Sequence, residues 1–195
     1  RIEDLDFNLE DFVQRVNTDI VNKLVNLASR NAGFIAKRFE GKLANKLEDE
    51  ALFAEFTAQA EQIAAYYESR EYNKAIREIM ALTDKANKYI DETGPWLLAK
   101  DPAKAARLKT VMYNLAEVLR IVAILTSPYI PSTSPKIYTQ LGLTAPEQFL
   151  LADTAWGGLP DGTKVQKGEP LYPRIEITES GETVIAATKK DCSGR

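Results

Sequence analysis

The sequence contains no histidine and a single cysteine, Cys192, among its 195 residues. Without histidine, Ser-His-Asp and Cys-His catalysis, the usual zinc sites and the Glu-x-x-His pairs of di-iron bundles are excluded. Carboxylate-only catalysis stays open, although no pair of acidic residues stands out. One cysteine excludes an internal disulfide framework and is typical of a reducing compartment, so we expect a cytoplasmic protein. We expect no catalytic residues, no metal site and no cofactor in this chain.

Long apolar runs and nucleotide-binding motifs are also missing. No run of about 18 uncharged apolar residues occurs, so no membrane-spanning helix is expected. Neither GxGxxG nor GxxxxGK[ST] is present. The N-terminus, RIEDLDFNLEDF, lacks the basic and apolar regions of a signal peptide. Because the sequence begins at Arg1 rather than at Met, we expect it to be a piece of a larger protein.

Charge is distributed unevenly along the chain. The formal net charge is −3, but residues 15–46 hold seven basic and two acidic residues, a net +5, which leaves −8 for the rest. A basic helical unit on an acidic body is the pattern expected of a polyanion-binding surface. Ordinary fluctuation in charge is the alternative, and the sequence alone leaves both open.

Residues 11–34 carry the clearest helical pattern. Apolar side chains recur there at spacings of three and four, which predicts an amphipathic helix facing a core: Phe12, Val13, Val16, Ile20, Leu24, Leu27 and Ala28. A second row, also three or four residues apart, predicts one polar ridge along the same helix: Arg15, Asp19, Asn22, Asn26 and Arg30.

The asparagines in this stretch call for a reason, because Asn disfavours helix formation. Asn22, Asn26 and Asn31 all lie within it. An amide beside a guanidinium presents donors and an acceptor on one surface, which suits the edge of a nucleobase. A solvated helix face that happens to contain Asn and Arg is the alternative interpretation.

The remaining pattern predicts an all-α fold, an antiparallel bundle of four to five helices with an extended C-terminal tail. We expect Gly33 to kink or end the first helix, and further helices at about 49–69, 71–93, 102–127 and 134–141. A further helical turn is expected from Thr144. Three parts are predicted: a helical domain over 1–151, an extended peptide over 152–178 and a frayed tail over 179–195.

The extended peptide is rich in Gly and Pro, yet it keeps large apolar residues. A disordered linker would contain fewer of them. We therefore expect residues 152–178 to pack back on the bundle and, in a larger parent protein, to reach its catalytic half. The side chains expected to make these contacts are Trp156, Leu159, Val165, Leu171, Tyr172, Ile175 and Ile177.

Trp96 follows Gly94-Pro95 in the predicted linker between two long helices. An exposed Trp there offers a flat face on which an unstacked base can lie. The alternative is a core residue that closes one end of the bundle.

Several separated motifs occur together in one order. They are NKLVNLASRNAGF (22–34), SREYNKAIREIM (69–80), DETGPWLLAK (91–100) and WGGLPDGTKVQKGEPLYPRIE (156–176). Together they closely resemble the anticodon-binding domain of methionyl-tRNA synthetases and the peptide that follows it. The resemblance covers about residues 1 to 177, nearly the whole chain.

This resemblance implies a binding role for named residues. In the family, an Asn and an Arg one helical turn apart read anticodon bases, and a Trp stacks on the wobble cytosine; here these are Asn26, Arg30 and Trp96. The partners implied are the anticodon stem-loop of methionine tRNA and the catalytic domain of the same chain, and no membrane. The parent enzyme would be a class I methionine–tRNA ligase that uses ATP and Mg. Its catalytic signatures are absent from this sequence.

Basic residues near these positions are expected to contact RNA phosphates: Arg15, Lys23, Lys37 and Arg38. The alternative function is a helical protein–protein interaction module without RNA binding. It would dock through acidic residues of the second and third predicted helices: Glu48, Asp49, Glu50, Glu55, Glu61 and Glu68.

Overall fold

The computed structural model describes residues 6–43, 49–168 and 171–185. Lys46, Glu48 and Cys192 lie outside the described residues, as do residues 169–170 and 186–195 of the predicted peptide and tail. The described residues form a helix bundle followed by an extended peptide that ends in a small hairpin. The predicted all-α class with an extended tail is therefore confirmed.

The helices follow the predicted order. Their bounds are α1, Leu9–Arg15; a π-helical segment, Val16–Val25; α2, Asn26–Phe39; α3, Glu50–Glu68; α4, Tyr72–Thr93; α5, Pro95–Leu98; α6, Ala105–Thr126; and α7, Ser134–Gln140. Short 3₁₀ turns occupy Pro102–Lys104 and Leu151–Thr154. The second of these replaces the turn predicted from Thr144. Strands β1, Ile175–Ile177, and β2, Thr183–Ile185, pair antiparallel.

The N-terminal helix differs from the prediction in two ways. It does not end at Gly33, because glycine merely weakens a helix interior, by about 1 kcal/mol; α2 continues to Phe39. Its middle is also π-helical: the Asn26 N–H donates to the carbonyl of Val21, five residues earlier. Hydrogen bonds between residues i and i+5 widen the helix. The spacing of apolar residues gave no sign of this change.

The periodicity predicted that Phe12 faces the core, but it does not. Its side chain is 47% exposed and its ring lies 5.5 Å from that of Phe7. The helix α1 packs against β1 beside the bundle, and within α1 only Val13 is buried. The later part of the predicted stripe does face the core, because Leu24, Leu27 and Ala28 are buried there.

Helix α6 is the centre of the bundle. Every residue from Thr110 to Thr126 is buried, and α6 packs against α2, α4, α5 and α7. The sequence pattern predicted one apolar inner face, but the helix is enclosed all round. A helix can be buried on its polar side only if its polar groups find partners.

Two charged residues of α6 obtain these partners from the extended peptide. Glu117 and Arg120 pair at 2.6 Å between Oε1 and Nη2. The Glu117 carboxylate also accepts the backbone N–H groups of Gly157 and Gly158, each at 2.8 Å, and that of Leu159 at 3.1 Å. Arg120 donates to the carbonyls of Asp153, at 2.5 Å, and Ala155, at 2.6 Å. Residues 153–159 are therefore fixed to the centre of the bundle.

The peptide meets the bundle at further points. Leu159, Val165 and Leu171 are buried in the core, and the Trp156 ring centroid lies 4.2 Å from that of Phe53 on α3. The Val165 N–H donates to the carbonyl of Gly41 at 2.8 Å. These contacts fix where residues 156–168 and Leu171 lie on the bundle. The boundary at residue 151 stays a prediction.

The hairpin is held by the amide of Asn17 in the π-helical segment. Its Nδ2 donates to the carbonyl of Ile175 at 2.7 Å, and its Oδ1 accepts the N–H of Ile175 at 2.9 Å. Within the segment predicted to fray, Thr183–Ile185 pairs with Ile175–Ile177; the prediction of a frayed tail from residue 179 stays a prediction. Strand pairing supplies hydrogen bonds that a polar sequence pattern does not reveal.

Two glycine substitutions test the importance of the anchor at Glu117. A Cβ at Gly158 would lie 2.4 Å from Cζ of Arg120, so Gly158→Ala must displace the guanidinium. We expect it to lower the free energy of unfolding by about 1–3 kcal/mol, as overpacking does. The measurement is urea denaturation followed by circular dichroism.

Gly33→Ala is the matched control. A Cβ there meets nothing within 4 Å and the residue is helical, so the same change should stabilise by about 0.5–1 kcal/mol. Equal effects of the two substitutions would contradict the anchoring role of the peptide.

Candidate nucleic-acid interface

Trp96 is placed by a tight turn between α4 and α5. Gly94 adopts a left-handed conformation with φ 52° and ends α4, and Pro95 is the first residue of α5. The N–H groups of Leu97 and Leu98 donate to the Gly94 carbonyl at 2.7 and 3.1 Å. The predicted linker is thus a helical turn. Trp96 is 42% exposed, so it is not a buried plug at the bundle end.

The structure brings Arg30 and Trp96 together. Cζ of Arg30 lies over the Trp96 ring, 5.9 Å from its centroid, which is cation–π geometry. Asn26 lies one turn before Arg30 on α2, and both are exposed. These residues present a flat aromatic ring, a guanidinium and an amide at one surface of the bundle.

In the rest of the predicted polar ridge, Arg15 and Asn22 are exposed and Asp19 is half-buried, and all three are already paired within the chain. Nε of Arg15 donates to Asp11 at 2.8 Å, and this hydrogen bond raises the pKa of the guanidinium. Oδ1 of Asn22 accepts from Nη1 of Arg174 at 3.3 Å. The hairpin peptide therefore adds a cation to the ridge.

The four predicted phosphate-binding residues do not share one environment. Lys23 lies 3.0 Å from a carboxylate oxygen of Asp84 and 3.3 Å from one of Asp19. Its hydrogen bond to Asp84 is the main cause of a raised ammonium pKa. Lys37 and Arg38 are exposed in the last turn of α2, roughly 12 Å along the helix from Arg30 at 1.5 Å per residue.

Two residues at this surface were not assigned a role from the sequence. The sequence pattern did not place Arg174 at this surface, because its position depends on the contact between Asn17 and Ile175. Asn31 was noted as an unusual helix residue, but the periodicity did not place it inside the bundle, where its side chain is 1% exposed. It lines a cavity of about 40 Å³ together with Arg30, Phe34, Ile90, Pro95, Trp96 and Met112.

Two of the acidic residues expected to dock a protein partner, Asp49 and Glu55, form contacts within the bundle. Asp49 accepts hydrogen bonds from Tyr89, from Arg107 at 3.0 Å and from Asn114 at 2.8 Å. Glu55 pairs with Lys85 on α4. These two carboxylates hold helices to one another, which leaves a smaller acidic face for a protein partner than the sequence indicated.

Metal and membrane signals were searched in the described residues only. They include no group of three or more His, Cys, Asp or Glu side chains placed to hold a metal ion. Within the same residues, no helix combines the length and the apolar character needed to cross a membrane. What the surface around Trp96 offers is stacking and hydrogen bonding, which are the means of binding an unpaired base.

Comparison with known proteins gives two family matches. Residues 40–185 match a family described as the anticodon binding domain of methionyl tRNA ligase. Residues 1–32 match one described as class I tRNA synthetases (M). The first range contains Trp96, and the second contains Asn26 and Arg30.

Comparison with solved structures indicates the same family. The free form of Mycobacterium tuberculosis methionyl-tRNA synthetase is 33% identical with a TM-score of 0.80, over 87% of this chain and 35% of that one. The same synthetase with methionyl-adenylate is 33% identical with a TM-score of 0.79, over 86% and 34% of the two chains. This chain thus spans about a third of the length of these relatives. By sequence and by fold, it belongs to the family of methionyl-tRNA ligase anticodon-binding domains.

Proposed function

We propose that the chain is the anticodon-reading module of a methionine–tRNA ligase and binds the anticodon stem-loop of methionine tRNA, initiator and elongator alike. The observation that carries this proposal is the exposed pair formed by Arg30 and Trp96, with Asn26 one turn away on α2. A ring, a guanidinium and an amide at one surface match the three ways in which proteins hold an unstacked base.

Binding begins with stacking. The anticodon bases leave the loop stack, and the wobble cytosine lies on the Trp96 ring. Stacking of this kind contributes about 1–3 kcal/mol per base. The guanidinium of Arg30, which lies over the ring in the free chain, moves aside and becomes available to the base edge.

Base identity is read by Asn26 and Arg30. Each offers hydrogen-bonding groups, an amide in one case and a fork of N–H donors in the other. A wrong base leaves a donor or acceptor unpaired at the contact, and this penalty exceeds the gain from a correct hydrogen bond. Discrimination can therefore be large although few residues take part.

Affinity comes from the phosphates as well. Lys37 and Arg38, at the end of α2, and Arg15, at the start of the ridge, contact the backbone of the RNA. Lys23 contributes less, because its ammonium is shared between Asp19 and Asp84. Such contacts set the register of the RNA but carry no sequence information.

The module acts for a larger cytoplasmic enzyme. The parent ligase would adenylate methionine with ATP and Mg²⁺ in a catalytic domain of the same polypeptide and then transfer methionine to the tRNA. Residues 152–178, anchored through Glu117, would hold the two domains at a fixed spacing. Exposed apolar side chains of the N-terminal segment and of the hairpin, Phe7, Phe12, Val184 and Ile185, would meet the catalytic domain.

Trp96→Ala tests the stacking role. We expect affinity for a synthetic methionine anticodon stem-loop to fall by about 1–3 kcal/mol, measured by fluorescence titration. The free energy of unfolding should fall by less than the loss of about 3–5 kcal/mol typical of a truncated core aromatic. Leu97→Ala, in the neighbouring and more exposed position, is the control and should leave affinity unchanged. A large loss of stability with unaltered affinity would rule out stacking.

Asn26→Ala and Arg30→Ala test base reading. Each should reduce the preference for the methionine stem-loop over one with an altered wobble base, by about 1–3 kcal/mol for each lost set of hydrogen bonds. Lys23→Ala, as the control, should weaken both loops equally and slightly. If Asn26→Ala instead weakens all loops to the same extent, this amide does not read a base.

Salt dependence separates RNA binding from protein docking. The logarithm of the association constant should fall linearly with the logarithm of salt concentration, by about 0.7 per phosphate contact for single strands. Arg38→Ala should reduce the magnitude of this slope by about that amount, whereas Lys136→Ala on α7 should not. The absence of any salt-dependent RNA affinity would favour the protein-interaction module instead.

A further inference from the structure

Asn31 is a buried amide without a partner. Its side chain is 1% exposed, and within the described part of the chain neither Nδ2 nor Oδ1 has a hydrogen-bond partner. Buried polar atoms are nearly always paired, so an amide with both ends unpaired calls for a reason. Asn also disfavours the helix interior in which this residue lies.

The amide lies where the proposed base contact is made. It lines the cavity of about 40 Å³ between α2 and the α4–α5 turn, with Arg30 and Trp96 in the same lining. The other lining residues, Phe34, Ile90, Pro95 and Met112, are apolar, so they offer the amide no side-chain partner. A volume of this size holds a water molecule but not a nucleobase.

Widening the cavity towards the Trp96 ring requires movement of one exposed side chain, that of Arg30. The guanidinium of Arg30 lies over the Trp96 ring, and Arg30 is exposed, so a change of rotamer removes it without disrupting the core. This movement would free the face of the Trp96 ring and widen the cavity that Arg30, Asn31 and Trp96 line together. A base stacked on Trp96 would direct one edge towards Asn31.

We propose that Asn31 is a further specificity-determining residue of the anticodon site, whose amide hydrogen-bonds the Watson–Crick edge of the base that stacks on Trp96. This inference rests on the proposed function. Cytosine presents an amine donor and the N3 acceptor on that edge, and an Asn amide presents the complementary acceptor and donor. Both hydrogen bonds form without breaking any hydrogen bond within the protein, because the amide has none among the described residues.

Asn31→Leu tests the inference, because Leu has a similar shape and no polar atoms. Affinity of the chain would be measured by titration for stem-loops with cytosine, pyrimidin-2-one or no base at the wobble position. The variant should lose at least about tenfold in affinity for the cytosine loop, which corresponds to one or two lost hydrogen bonds, and nothing for the abasic loop. Its thermal midpoint should be unchanged or higher.

Gln59→Leu is the matched control. Gln59 lies on α3, its Oε1 is likewise buried and unpaired, and it does not line the cavity. This substitution should leave the affinity for all three loops unchanged. An effect equal to that of Asn31→Leu would overturn the inference, since it would reflect stability alone.

The remaining outcomes are distinct. If Asn31→Leu retains the preference for the cytosine loop, the inference is wrong and the amide serves a buried water. If the unmodified chain binds the cytosine and abasic loops equally, the proposed function itself fails. If the variant does not fold, the unmodified chain still tests the inference. It should bind the pyrimidin-2-one loop about tenfold more weakly than the cytosine loop, because pyrimidin-2-one lacks the amine. Equal affinity for those two loops overturns the inference.

Discussion

The buried carboxylate of Glu117 is the constraint on which the rest of the structure depends. It lies on the central helix α6 with its side chain fully buried, and it must be compensated by donors. Arg120 supplies a charge, and the backbone of Gly157, Gly158 and Leu159 supplies three N–H groups. The extended peptide is therefore part of the core, because without it the Glu117–Arg120 ion pair would lose the backbone hydrogen bonds that satisfy its remaining atoms.

The proposed binding surface is positioned by the same helix. Both α2 and α5 pack on α6, so the relative placement of Arg30 and Trp96 is set from within the core. The hairpin, held by Asn17, adds Arg174 to the exposed ridge. A rigid support matters for recognition, because loosely held groups lose binding free energy when they become ordered.

Helical periodicity in the sequence predicted most of the bundle, since apolar residues at spacings of three and four must be buried together. The polar ridge and Trp96 were identified from residue chemistry, and the motifs connected them to a family. The bounds of α3, α4 and α7 fell within a few residues of the prediction. Local pattern was sufficient there because these helices are amphipathic and end at Gly, Pro or short polar turns.

Other features depend on contacts between distant residues, which a local pattern does not contain. The strand at Thr183–Ile185 depends on pairing with Ile175–Ile177, and the exposure of Phe12 depends on how α1 packs against β1. The π-helical segment carries the Asn17 amide that holds Ile175. The burial of Glu117 and Arg120 follows from a peptide more than 30 residues away. Asn31 was visible as an unusual residue, but its position in a cavity appears only when α5 is placed beside α2.

The most direct test of the account is a crystal structure of this chain with a methionine anticodon stem-loop. In the complex, the wobble cytosine should stack on Trp96, with the guanidinium of Arg30 moved off the ring and Asn26 within hydrogen-bonding distance of a base. RNA bound to another face of the bundle, with Arg30 still over Trp96, would contradict it.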